Sequence, residues 1–123
     1  MSASEVGKQM VALCREGKNL ESINTLYSES IESIEAGALP GMDQVSKGIE
    51  AVRGKNQWWI ENHEVHNHEV EGPYPHGEGR FAVHFRYDVT NTPSGNRMKL
   101  DEIGLFTVDG GKIVKEEFFY DMG

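Results

Sequence analysis

Apolar residues recur at helical spacing from the start of the chain. Between Ser4 and about Glu16, Val6, Met10, Leu13 and Cys14 share one face, with Ser4 placed to cap the first turn. Gly17 stops this helix, and Asn19 can cap a second, short one whose Leu20, Ile23, Leu26 and Tyr27 form a face. SIESIE, residues 30–35, puts β-branched Ile31 and Ile34 into a short strand ahead of the Gly- and Pro-containing loop GALPGMDQVSKG. GIEAVRGKNQWWIEN then returns to helical spacing. Ile49, Val52, Asn56, Trp59 and Ile60 lie on its buried face, Trp59 being the largest anchor and Trp58 falling on another, partly covered face.

After Asn62 the period changes to two. HEVHNHEVEG alternates weakly up to Pro73, whereas Arg80 to Thr90 alternates cleanly, with Phe81, Val83, Phe85, Tyr87 and Val89 on one face and Ala82, His84, Arg86 and Asp88 on the other. NTPSGN makes a turn, Met98 to Val108 a long strand, and Asp109-Gly110-Gly111 a second turn. In the closing strand Val114, Glu116, Phe118 and Tyr120 point one way and Ile113, Lys115, Glu117 and Phe119 the other. Helices first and a strand meander afterwards predict one α+β domain over residues 1–123, with three helices packed across one face of a curved, mainly antiparallel sheet. A carboxylate at Glu116, between Val114 and Phe118, is costly unless solvated, paired or used, and so points to a cavity.

Charge narrows the function classes. The chain has 123 residues, net charge −8 and no Lys/Arg cluster, which argues against nucleic acid and anionic membranes as partners. With no apolar leader or long apolar run, the expectation is a cytoplasmic protein. The single cysteine, Cys14, leaves no internal disulfide and lies on the apolar stripe with Met10 and Leu13, as a buried thiol would.

Three stretches carry a resemblance: the helical hairpin ending in LYSESIESIE, the VSKGIEAV entry to the third helix, and the closing VDGGKIVKEEFFYD. In this order they resemble the nuclear-transport-factor-two-like superfamily, the cone-shaped fold of ketosteroid isomerase, scytalone dehydratase and SnoaL-like polyketide cyclases. The resemblance implies a pocket between sheet and helices. Alternation along the penultimate strand then puts Leu100, Glu102, Gly104, Phe106 and Val108 inward, and on the last strand the resemblance favours Val114, Glu116, Phe118 and Tyr120 inside. The outward set, including Ile103, Leu105, Ile113 and Phe119, is apolar enough to form a homodimer interface, which the superfamily commonly places on that face. The isomerase's general base, at the end of the first strand, corresponds to Glu35. Its helical tyrosine falls near Val11 and its second acid on Gly104, so both of that enzyme's oxyanion donors are missing. SnoaL-like cyclases instead imply an acidic base with aromatic and histidine partners.

Glu35, Glu102 and Glu116 are thus the candidate acid–base groups, and carboxylates sharing one cavity should push at least one pKa toward neutral. Tyr120 and His66 or His68 are the candidate oxyanion donors, and Trp59, Phe85, Tyr87 and Phe118 the walls for a small apolar or aromatic molecule. The competing reading pairs Glu102 or Glu116 with Arg53, Arg97 or Lys99. HEVHNHEV has the look of a metal motif, with His66 and His68 on one strand face, but no other histidine is clearly inward, so neither metal nor cofactor is expected. The GALPGMDQVSKG segment is a candidate gate. These readings lead to a cofactor-independent cyclase, isomerase or dehydratase, with Glu35 as first-choice base. The alternative is a non-catalytic dimeric ligand-binding or assembly domain.

Overall fold

The computed structural model describes residues 1–37 and 43–121. Its elements are α1 (Ala3–Arg15), α2 (Asn19–Leu26), β1 (Tyr27–Ile34), β2 (Val45–Lys47), α3 (Ile49–Asn62), β3 (His63–Pro75), β4 (Arg80–Asn91), β5 (Asn96–Asp109) and β6 (Lys112–Phe119). The strands make one six-stranded sheet in the order β2-β1-β6-β5-β4-β3. Only β1 and β6 pair in parallel; every other neighbouring pair is antiparallel. α1 lies on β3 and β4, α3 on β1, and α2 between the two helices. This is the expected α+β layering: helices over one face of an open, mixed sheet.

The caps differ from the sequence reading. Ser2, not Ser4, caps α1: its hydroxyl accepts the Glu5 N–H at 3.2 Å, and Glu5 returns a bond to the Ser2 N–H at 3.4 Å. α2 has no side-chain cap: Asn19 is its first residue, and Lys18 stands at the cap position. Leu20 and Ile60, both assigned to buried faces, are exposed, and Tyr27 opens β1 rather than closing α2. β2 lies in the stretch read wholly as loop; three residues paired to the end of β1 are too short for a periodic signal. Of the candidate gate, residues 37–48, the five residues 38–42 lie outside the described residues.

The core sits where β4, β5 and β6 meet α1 and α2, around Phe81, Val83, Phe106, Ile113, Val6 and Leu26. β4 alternates as expected, with Phe81, Val83, Phe85 and Val89 buried. Two bulges break the alternation elsewhere. On β6 the ladder steps from Val108↔Ile113 to Thr107↔Lys115, so Val114 is an extra residue. Ile113, expected on the outer face, is therefore fully buried in the core, while Glu116 and Phe118 keep their inward direction. On β3 the step from Val65↔Val89 to Asn67↔Asp88 makes His66 the extra residue. Ile103 and Phe119 pair across β5 and β6 on the outer face, and both are exposed.

Candidate active site

β1 and β6 run parallel with Ser33 beside Glu116, which brings a hydroxyl and a carboxyl together beneath the helices. Glu116 is 3% exposed. Tyr27 donates its hydroxyl to Oε1, and Ser33 donates to Oε2 at 2.7 Å. From α3, Lys55 Nζ donates to Ser33 Oγ at 2.5 Å and to Glu35 Oε1 at 2.6 Å. The Tyr120 hydroxyl donates to Glu35 Oε2 at 2.9 Å. An unbroken line of hydrogen bonds thus runs from Tyr27 through Glu116, Ser33, Lys55 and Glu35 to Tyr120.

Glu102 stands outside this line. It enters the same cavity from β5, opposite Phe85 on β4, and no described residue gives it a hydrogen bond or an ion pair. Burial, reinforced by Glu35 and Glu116 and opposed by Lys55, lifts its pKa from 4.5 to about 7. Burial also raises Glu116, against the opposing pull of Lys55, Tyr27 and Ser33. Burial drives the phenols of Tyr27, Tyr87 and Tyr120 upward as well, so all three are protonated donors at neutral pH. The Cys14 thiol, pushed up to about 12 by burial and then by Glu116, is no nucleophile. Lys55 is a partly buried cation on a lining that carries the carboxyls of Glu35, Glu102 and Glu116; Lys99, also on the lining, is exposed.

The cavity has a volume of about 580 Å³, in the range of small-molecule sites. Its walls are rings. Trp59 stacks on His63 with centroids 4.6 Å apart and tilts against Tyr87 at 5.4 Å. Phe85 lies parallel to Tyr87 at 6.2 Å, and Lys55 Nζ sits 5.4 Å from the Phe118 ring centre. Gly104 occupies the position to which the resemblance assigns the isomerase's second acid. A Cβ there would come within 2.7 Å of the Phe106 ring and 3.2 Å of Phe85, so those rings fill the space and the inward carboxyl is the next one along, Glu102.

Eight of the candidate residues, Glu35, Glu102, Glu116, Tyr120, Trp59, Phe85, Tyr87 and Phe118, line this one cavity. The two candidate histidines do not. His66, thrown outward by the β3 bulge, is exposed and bonds Thr90 Oγ1 at 2.7 Å. His68 bonds the Arg15 carbonyl at 3.1 Å and backs the Tyr87 ring from outside the cavity lining. The bulge separates these two from the shared face that strict alternation assigns them; the lining histidine is His63. The ion pairs considered for Glu102 and Glu116 are also different: Arg53 holds Glu50 and Asn24, and Arg97 holds Asp88 at 2.9 Å. The cation that enters is Lys55, three residues after Val52 and four before Trp59, a spacing that puts it on the cavity side of α3. Among the described residues no three His, Cys, Asp or Glu side chains are placed to hold a metal ion, and no helix is long and apolar enough to cross a membrane.

Residues 1–120 match the model of the SnoaL-like domain family. A crystal structure from Mesorhizobium loti, assigned as a SnoaL-like polyketide cyclase (carbohydrate phosphatase), is 44% identical over 98% of this chain and 100% of its own, with a TM-score of 0.90. A SnoaL-like polyketide cyclase assignment from Jannaschia sp. is 17% identical over 98% of this chain and 88% of its own (TM-score 0.76). An isomerase assignment from Bacillus subtilis is 15% identical over 97% and 86% (TM-score 0.77). The last two are alike in fold alone. No curated protein matches the sequence.

Proposed function

The chain belongs to the SnoaL-like domain family, and from that premise we propose that it is a cofactor-independent proton-transfer enzyme acting on a small, mostly apolar carbonyl compound. The observation that carries this reading is Glu102: a carboxyl with no described partner, open to a ring-walled cavity and with a pKa of about 7. Ionised Glu102 takes a proton from the carbon beside the carbonyl. The C–H electron pair moves onto the carbonyl oxygen as an enolate, whose charge faces the Lys55 ammonium. Protonated Glu102 then returns the proton to another carbon, giving an isomer, or to an oxygen. That oxygen is either one formed when the enolate carbon closes on a second carbonyl, or a β-hydroxyl that leaves as water.

Glu35, the first-choice base of the sequence reading, has a different part here. Its two carboxylate oxygens are taken by Lys55 and Tyr120, so it holds Lys55 in place. The experiment is hydrogen–deuterium exchange at the α-carbon of 2-tetralone, followed by NMR in D₂O. Wild-type protein should accelerate it and Glu102→Gln should not; equal rates with both proteins would remove Glu102 from the mechanism.

The competing reading, a dimeric ligand-binding or assembly domain, draws support from the commitment of Glu35 and Glu116 to internal hydrogen bonds. Homodimerisation through the outer sheet face belongs to both readings and rests on exposed Ile103 and Phe119. A cytoplasmic location, with neither nucleic acid nor membrane as partner, is the remaining part of the proposal and rests on the acidic composition.

A further inference from the structure

The donors around the cavity can be followed one by one. Tyr27 and Ser33 are spent on Glu116, and Tyr120 on Glu35. Among the described residues two buried side-chain atoms have no hydrogen-bond partner, and both belong to residues of the lining: Ser22 Oγ on α2 and Asn56 Nδ2 on α3. Ser22 is 2% exposed. Asn56 stands one turn from Val52 and one from Trp59, on the stripe of α3 that faces the cavity. Both groups are terminal rotors: χ1 of Ser22 and a half-turn of the Asn56 amide redirect their hydrogens with no backbone movement. Native interiors seldom leave two such groups unmatched in one wall, and a binding cavity is where they find a use.

The carboxyls Glu102 and Glu116 come from the sheet, whereas Ser22 and Asn56 come from the helices laid across it. Polar groups therefore meet a ligand from two walls with rings between. We infer that Ser22 and Asn56 form an oxygen-binding subsite in the helical wall, so that the cavity selects flat, apolar molecules carrying two separated oxygens. One oxygen meets Glu102 and Lys55; the other, a hydroxyl or carbonyl, is held by Asn56 and Ser22. This rests on the proposed function only in using its cavity and the carboxyl end of it.

Equilibrium dialysis with naphthalene, 2-naphthol and 2,6-dihydroxynaphthalene tests the assignment. In wild-type protein the second hydroxyl should tighten binding about tenfold, as for a hydrogen bond to an otherwise unmatched buried group. Asn56→Ala and Ser22→Ala should each remove most of that gain while leaving naphthalene affinity unchanged. Ser22→Ala should in addition raise the thermal midpoint, because it deletes a hydroxyl that has no partner in the unliganded protein, and so it remains informative if Asn56→Ala folds poorly. Equal binding of 2-naphthol and the diol to wild-type protein would overturn the subsite while leaving the proton-transfer reading in place. Equal weakening of all three ligands by both variants would do the same, reducing the pair to wall packing. Failure of all three to bind would overturn the apolar-ligand reading and the subsite together.

Discussion

Glu102 lies directly across the β4–β5 ladder from Phe85, so on that strand the carboxyl faces a ring and not a donor. Glu116, on β6, has Tyr27 and Ser33 from the neighbouring β1. Two carboxyls in one cavity are thereby given opposite surroundings, one tied into a hydrogen-bond line and the other left open to a ligand.

Stability should fall with pH because of Glu102. Below pH 4.5 it is protonated in both folded and unfolded chains, and above about 7 it is ionised in both. Between these values the folded state holds a proton that the unfolded state has released, so stability drops as pH rises, by up to about 3 kcal/mol. Urea unfolding at pH 5 and pH 8 measures it. Glu102→Gln should flatten the difference and be the more stable protein at pH 8.

Lys55→Met leaves Glu35 partly buried without its cation and removes the donor to Ser33. The expected cost is about 2–4 kcal/mol at pH 7, and the double variant with Glu35→Gln should lose less than the sum of the two single ones. Because Lys55 holds the Glu102 pKa down, any exchange activity retained by Lys55→Met should shift its pH profile upward. A profile that stays in place would separate Lys55 from Glu102.

The isomerase arrangement should not be transferable. Gly104→Asp places a Cβ 2.7 Å from the Phe106 ring, and overpacking of this kind costs about 1–3 kcal/mol before the buried charge is counted. A thermal melt should show the loss; a variant as stable as wild type would mean that the rings yield readily.

Phe119→Glu tests the dimer. Phe119 is 54% exposed and pairs with exposed Ile103, so a charge there should give monomers with unchanged far-ultraviolet circular dichroism. Sedimentation equilibrium decides, and a monomeric wild-type protein would discard the interface.

Much of this fold could be read from periodicity. The helix stripes of α1 and α3 and the clean alternation of β4 locate the core, and the strand order then brings Glu35, Glu102 and Glu116 into one cavity. What could not be read was where the alternation slips. One extra residue at Val114 turns Ile113 into the core, and one at His66 moves a candidate donor to the outer side. Neither bulge leaves a local signature, since each is set by pairing with a neighbouring strand. Lys55 was missed for another reason: lysine on a helix reads as solvent-facing, and only the tertiary placement of Glu35 and Ser33 makes it a partly buried cation.

A carbon-13 NMR titration of the glutamate side-chain carboxyls would test the central claim most directly. One resonance should titrate near pH 7 and be absent from Glu102→Gln, well separated from the surface glutamates. If the Glu102 resonance instead titrates near 4.5, the carboxyl is solvated or paired and cannot serve as a neutral-pH proton carrier.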